Sequence, residues 1–233
     1  MPLGPRSRSR PSRDGDRFPS RRQVLSGAGL ILSIPAMAGL TSPARPVVAA
    51  QAIMPTPQQT KGPFYPDQIP LDSDNDLLWI TGRQDPAQGH VTHLFGNVSN
   101  REGVKLAGLQ VEIWQCDALG RYRHSRDPGA RDDAFQGYGR TMTDEKGAYR
   151  FRTIKPVPYT GRAPHIHIAV TPPGERPFIS QIYVKGEPLN RRDGLFRRLA
   201  NDQARDALSV DFLPAPEIEP GALKARFDIT MNR

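Results

Sequence analysis

The stretch Tyr159-Thr-Gly-Arg-Ala-Pro-His165-Ile-His167-Ile-Ala-Val-Thr171 says more about this 233-residue chain than any other. From His165 onward it reads as a β-strand, and on a strand side chains i and i+2 point to the same face. His165 and His167 can therefore meet one metal ion. The other three histidines, His90, His93 and His124, lie elsewhere, so the pair does not reflect a general abundance of histidine. A phenol, Tyr159, and a guanidinium, Arg162, stand within a few residues of the pair.

Working outward, strand signals recur at short spacing, over His93–Val98, Leu109–Trp114, Ala148–Thr153, His165–Thr171, Phe178–Val184 and Leu223–Met231. Turns separate them, as in Thr143-Asp-Glu-Lys-Gly147, and the chain holds 24 prolines and 21 glycines. Short strands broken by Gly, Pro and Asp predict an all-β sandwich with long loops and few short helices. A helix is expected at Arg191–Leu199 or through Asp202–Leu208. Residues 51–233 read as a single domain, with no repeat and no coiled coil.

The net charge of +8 would at first point to an acidic partner. Residues 1–50, however, carry eight arginines against two aspartates, which leaves about +2 for the rest. The folded part has no basic stripe interleaved with aromatics, so a nucleic-acid partner is not expected. The charged N-terminus has its own reading. Arg21-Arg22 precedes an apolar stretch of 14 residues, Gly27–Leu40, with small residues near its end at Ala36-Met-Ala38 and beyond it at Val47-Val-Ala-Ala50. A transmembrane helix needs about 20 apolar residues, whereas a basic head, a short apolar run and small residues make an export signal. The paired arginines point to the twin-arginine route. Cleavage is expected after Ala38 or Ala50, releasing a protein without stable membrane insertion to the periplasm or the exterior.

Cys116 is the single cysteine, so no intramolecular disulfide can form. The alternation in Leu109-Gln-Val-Glu-Ile-Trp-Gln-Cys116 puts Leu109, Val111, Ile113 and Gln115 on one face and Gln110, Glu112, Trp114 and Cys116 on the other. A packed, inert thiol follows.

Two imidazoles alone make an incomplete metal site. No carboxylate lies between Glu145 and Glu175, but Tyr159 and Tyr122 flank turns near strand ends. Phenolate is a hard anionic donor and favours a hard, highly charged ion such as Fe(III) over Zn(II) or Cu(I). At an ordinary pKa of about 10 a phenol must lose its proton to bind, and a trivalent ion supplies that driving force.

Several motifs, in order, resemble the intradiol ring-cleavage dioxygenases, and the protocatechuate 3,4-dioxygenase branch most. They are Gly120-Arg-Tyr-Arg-His124, Gly139-Arg140, Thr143-Asp-x-x-Gly-x-Tyr-x-Phe-x-Thr-Ile-Lys-Pro156, Tyr159, and Arg162-x-x-His-Ile-His167. The resemblance runs from about Thr60 to Thr230. It implies one non-haem Fe(III) bound by Tyr122, Tyr159, His165 and His167, with water or hydroxide in the fifth position. Tyr159 and His167 would be axial, Tyr122 and His165 equatorial. It also implies a catechol, protocatechuate-like substrate that chelates as a dianion, displaces the Tyr159 phenolate and passes protons to the leaving ligands. With O2 the product would be a cis,cis-muconate-type diacid. Arg162 matches a family arginine that stabilises anionic substrate, Gln181 matches a polar pocket residue, and Tyr65 and Tyr138 are further pocket candidates. Assembly would be as a homo-oligomer or with a second related chain. Two departures stand out: only five residues separate Tyr159 from His165, and the motifs begin near Thr60, without the helical N-terminal dimerisation domain of the catechol 1,2-dioxygenase branch.

The competing reading is a transthyretin-like or carbohydrate-binding sandwich without chemistry. It would share the strand spacing but would need neither the two tyrosines nor the His-x-His pair. His124 is expected to serve as a hydrogen-bonding residue, and His90 and His93 to lie on the surface. The arginines at 191, 192, 197 and 198 are expected on a solvated face that attracts anionic substrates weakly.

Overall fold

The structure, a computed structural model, describes residues 53–233. The export signal and its cleavage points lie outside those residues. Ten strands follow in chain order: β1 Val91–Ser99, β2 Gln110–Trp114, β3 Tyr138–Met142, β4 Ala148–Ile154, β5 His165–Thr171, β6 Phe178–Val184, β7 Ser209–Val210, β8 Leu213–Pro214, β9 Leu223–Arg226 and β10 Ile229–Thr230. Two short helices, α1 Gly194–Arg197 and α2 Asp202–Ala207, lie between β6 and β7.

The strands form two five-stranded sheets. In the first, β1 pairs with β4 antiparallel and with β9 and β10 parallel, and β8 edges β9. In the second the order is β3-β2-β5-β6-β7, antiparallel except for the β6–β7 pair. Leu94, Val98, Phe151, Ala225 and Ile229 of the first sheet join Val111, Ile113, Ile166, Ile168, Val170 and Ile182 of the second in one apolar core. The mixed all-β sandwich read from the sequence is the observed fold.

β5 is buried on both faces. Ile166, Ile168 and Val170 fill the core, while His165, His167 and Ala169 point the other way and are also shielded from water. A second cluster covers that far face: Trp114, Cys116, Tyr122, Tyr138 and Ala169, with Phe64, Tyr65 and Tyr159 against them. The segment before β1 supplies part of the cover. Gln59 N–H donates to the Ile179 carbonyl at 2.9 Å, and Ser180 Oγ–H to the Pro57 carbonyl at 2.7 Å, tying this segment across β6.

Several elements differ from the sequence reading, which also lacked the two-residue strands β7 and β8. β3 carries Gly139, which obscures its strand pattern; a side chain there would run into the Asp74 carbonyl and Leu77. Leu223–Met231 is two strands, because between them the Asp228 carboxylate, not a backbone carbonyl, accepts the Asn97 N–H at 2.9 Å. The helix expected at Arg191–Leu199 breaks at Asp193, whose extended backbone (φ −73°, ψ 118°) ends a 3-10 turn over Pro188–Arg192 and caps α1. α2 matches the alternative expectation through 202–208.

Candidate metal centre

The register of the second sheet assembles the site. Trp114 lies opposite His167 across β2–β5, Gln181 lies opposite His167 across β5–β6, and Tyr183 lies opposite His165. The His167 ring stacks on Trp114, with centroids 4.8 Å apart and planes 8° from parallel. This sandwich fixes the imidazole plane. Gly62 closes the other side: it holds φ +72°, and a Cβ there would stand 3.1 Å from His167 Cε1. Only glycine adopts that backbone freely.

Tyr122 and Tyr159 arrive on loops. Tyr122 N–H donates to Asp127 Oδ2 at 2.8 Å, and Asp127 also pairs with Arg121, which pins the loop after β2. Phe64 stacks on the Tyr122 ring at 4.9 Å. Tyr159 meets Tyr122 edge-on at 5.2 Å and lies 5.5 Å from the His165 ring. The four predicted ligands thus converge, although Tyr122 and His165 are 43 positions apart in the chain.

Their polar atoms are arranged for a cation. His165 Nδ1 lies 2.6 Å from the Ala163 carbonyl, which can only accept, so Nδ1 carries the proton and Nε2 presents its lone pair. His165 Nε2 and His167 Nε2 stand 3.3 Å apart. At that distance the two nitrogens can share one proton, or present both lone pairs to one metal cation. Burial first, then the nearby Arg162 charge, lowers the His165 pKa to about 4; burial and the His165 and Arg162 charges push His167 well below its ordinary value. Both rings are therefore neutral at pH 7, the form that ligates metal. The Tyr122 hydroxyl is buried without a hydrogen-bond partner. Burial, then the neighbouring Cys116 and Tyr159, holds its pKa well above 10. A buried phenol without a partner is costly, and a trivalent ion would relieve that cost by taking the phenolate. Among the described residues no group of three or more His, Cys, Asp or Glu side chains is placed to hold a metal. A metal at the His165–His167 pair would draw its further ligands from the phenols.

Arg162 lies beside this cluster, held from four directions. Its Nε donates to Asp193 Oδ2 at 2.8 Å, and one terminal nitrogen donates to Gln181 Oε1 at 2.6 Å and to the Tyr183 hydroxyl at 3.3 Å. The other donates to Tyr159 Oη at 3.4 Å. Burial opposes its charge, but the Asp193 carboxylate outweighs burial and raises the Arg162 pKa. Burial raises the Tyr159 pKa, while Arg162 works against that rise. Gln181 completes the frame by donating to the Thr60 carbonyl at 3.0 Å.

A cleft of about 250 Å³ opens beside Tyr159, lined by Pro158, Gly161, Arg162, Ala163, Leu189, Arg192 and Asp193. A larger cavity of about 810 Å³ runs past Asp67, Leu71 and His124, but none of the four ligand candidates lines it. Of these two, the smaller cleft touches a ligand candidate, Tyr159, and Arg162 beside it.

The profile of a family described as Dioxygenase matches residues 60–231. A protocatechuate 3,4-dioxygenase beta chain from Burkholderia cepacia is 34% identical over 170 residues, covering 68% of this chain and 72% of its own. This chain belongs to the intradiol ring-cleavage dioxygenases. A catechol 1,2-dioxygenase from Acinetobacter baylyi is 30% identical over 188 residues, covering 73% of this chain but 57% of its own length. The dioxygenase domain of a dioxygenase–carbohydrate-binding fusion from Streptomyces sp. SirexAA-E superposes with a TM-score of 0.58 at 28% identity, covering 77% of this chain and 99% of that domain. The intradiol dioxygenases are oxidoreductases that use non-haem iron.

Cys116 is buried, its Sγ 3.6 Å from the Val157 carbonyl, and burial lifts its pKa to about 12, so it is inert. His124 is a hydrogen-bonding residue, Nδ1 accepting the Arg126 N–H at 3.0 Å. His90 is exposed as expected, but His93 is not a free surface residue: its Nε2 lies 3.0 Å from Glu219 Oε2 with the side chain 12% exposed. Tyr65 and Tyr138, expected as pocket residues, do not line the cleft beside Tyr159. Both hydroxyls donate to Glu112 Oε1, at 2.9 and 2.5 Å, and so anchor the segment that carries Gly62 and Phe64. The sequence reading missed Asp193, Trp114, Tyr183 and Gly62. Trp114 stood on the correct face of the β2 alternation, which was the available signal; nothing local marked Asp193.

Proposed function

We propose that this chain is a non-haem Fe(III)-dependent intradiol dioxygenase. It opens the ring of a protocatechuate-like catechol between the two hydroxylated carbons, adding both atoms of O2 to give a cis,cis-muconate-type diacid. One ferric ion per chain would be held by Tyr122, Tyr159, His165 and His167. The observation that carries this reading is the donor set: two buried, neutral imidazoles and the buried Tyr122 phenol, joined by the half-buried Tyr159 phenol, with no carboxylate among them. A ferric ion there would supply Lewis acidity and make a bound catecholate reactive toward O2.

The chain's own groups prepare the substrate. The Ala163 carbonyl fixes the His165 tautomer, and Trp114 fixes the His167 plane, so neither ring reorients when a ligand enters. Tyr159 is the phenol of the two that lies on the cleft wall. As the phenolate it would become on holding the ion, it could take the proton of an incoming catechol hydroxyl and leave as the neutral phenol. Arg162, fixed by Asp193, then faces the anionic ring and stabilises charge that develops on its oxygens. Gln181 holds Arg162 in place, and the aromatic cover of Phe64 and Trp114 excludes water.

We assign residues 1–50 to a twin-arginine export signal and linker, residues 51–233 to the catalytic domain, and the mature protein to the periplasm or exterior. The support is the Arg21-Arg22 pair and the short apolar run behind it. Recovery of the protein only from cytoplasmic fractions would remove that assignment. For the activity, the deciding experiment is the visible spectrum of the purified protein, with and without a catechol under argon. Phenolate-to-iron charge transfer should give a red-brown protein whose band moves to longer wavelength with catecholate, followed by O2 uptake on admitting air. A colourless, iron-free product from iron-replete expression would favour the non-catalytic sandwich.

A further inference from the structure

We propose that Arg192 selects the substrate's ring substituent, favouring catechols that carry an anionic group over unsubstituted catechol; this rests on the catechol reading above. The cleft beside Tyr159 has two arginines on its wall, and they are not equivalent. Arg162 is fully committed, to Asp193 through Nε, to Gln181 and Tyr183 through one terminal nitrogen and toward Tyr159 through the other. It cannot take a substituent without giving up the frame that positions it.

The remaining wall offers little polarity. Pro158, Gly161, Ala163 and Leu189 have no polar side chain, and the Asp193 charge is already neutralised by Arg162. Arg192 alone remains: among the described residues its guanidinium makes no ion pair and no side-chain hydrogen bond, and it is exposed at the rim. Its backbone is nevertheless rigidly placed. The next residue, Asp193, accepts N–H groups from Ala163, Leu195 and Phe196 as well as the Arg162 guanidinium. A free cation is thus tethered to a fixed stretch of backbone, one residue from the ion pair that holds Arg162. A carboxylate on the ring would gain a charge-assisted hydrogen bond there. A neutral substituent would gain nothing, because Arg192 stays solvated without it.

The test is anaerobic titration of the iron-loaded full chain with 3,4-dihydroxybenzoate and with catechol, followed by the visible band and by calorimetry. Arg192→Ala should weaken binding of 3,4-dihydroxybenzoate about three- to tenfold, as expected for a charge-assisted contact at a partly solvated site. Catechol affinity should change less than about twofold, Arg192→Lys should recover part of the preference, and salt should erode it in the wild type. An unchanged ratio of the two affinities in Arg192→Ala overturns the assignment. So does an equal loss in Arg191→Ala, which would show a diffuse field rather than a contact. If the wild type carries iron yet binds neither compound, the catechol reading itself fails and the selection by Arg192 falls with it.

Discussion

Asp193→Ala is the most informative single substitution. The Asp193 side chain is fully buried and its partner Arg162 is 14% exposed. One carboxylate oxygen accepts from Arg162 Nε and Ala163 N–H, the other from Leu195 and Phe196 N–H at 2.9 and 3.1 Å. Burial raises its pKa, but these donors outweigh burial and hold it below the ordinary value. Breaking a buried ion pair by removing one partner costs about 3–5 kcal/mol, because the other charge stays behind. Partial access of water to Arg162 places this pair near about 3 kcal/mol, and loss of the helix cap adds about 1 kcal/mol. Asp193→Ala should therefore lose about 4 kcal/mol in urea unfolding. Arg162→Met should lose less, since Asp193 keeps three backbone donors. The double variant should be more stable than the two single losses summed by about 2 kcal/mol, because no orphan charge remains. A loss below about 1 kcal/mol for Asp193→Ala, or a cycle additive within about 0.5 kcal/mol, would refute the claim that Asp193 holds Arg162 in place.

Other outcomes follow from the same geometry. Tyr159→Phe should keep part of its iron, since Tyr122, His165 and His167 remain, but change the visible band and slow catechol deprotonation; full turnover by this variant would end the base role given to Tyr159. Gly62→Ala forces a β-carbon into a positive-φ position and within 3.1 Å of a ring already held by Trp114. Positive φ costs about 1 kcal/mol, which should lower the melting temperature by about 2–4 °C, with reduced iron per chain by metal analysis; wild-type values for both would show that the segment over His167 gives way freely. Glu219 accepts from both Arg152 and His93, and the Arg152 hydrogen bond lowers its pKa to about 2. Because the folded value is depressed, its stabilisation is present above the ordinary carboxylate range and is lost as pH falls from about 4.5 through about 2. Discounted for solvent exposure this is worth about 1 kcal/mol. Glu219→Gln should flatten the pH dependence of unfolding in that window, and an unchanged acid limb would exclude the pair as a contributor.

The longer sheet-forming segments and the chemistry of the ligand set were determined by sequence alone. Alternation is local, so β5 and β6 were legible to the residue, and the i, i+2 rule put His165 and His167 on one face before any fold was known. Short-range punctuation likewise placed β2 and β4, and the sole thiol read as packed. What depended on close approach between distant backbones was not legible. Gly139 hides β3 because its neighbour is Asp74, and Asp228 interrupts the last strand because Asn97 stands across from it. The site shows the same division. Tyr122, Tyr159 and the histidine pair could be named from motif order, but their meeting is a consequence of sheet register and loop anchoring. Asp193 could not be named at all: its importance lies in Arg162, 31 residues earlier, and only folding brings the two within 2.8 Å. Local pattern specifies which face a side chain takes. Tertiary structure alone decides what it meets there, because long-range contacts leave no periodic trace in the chain.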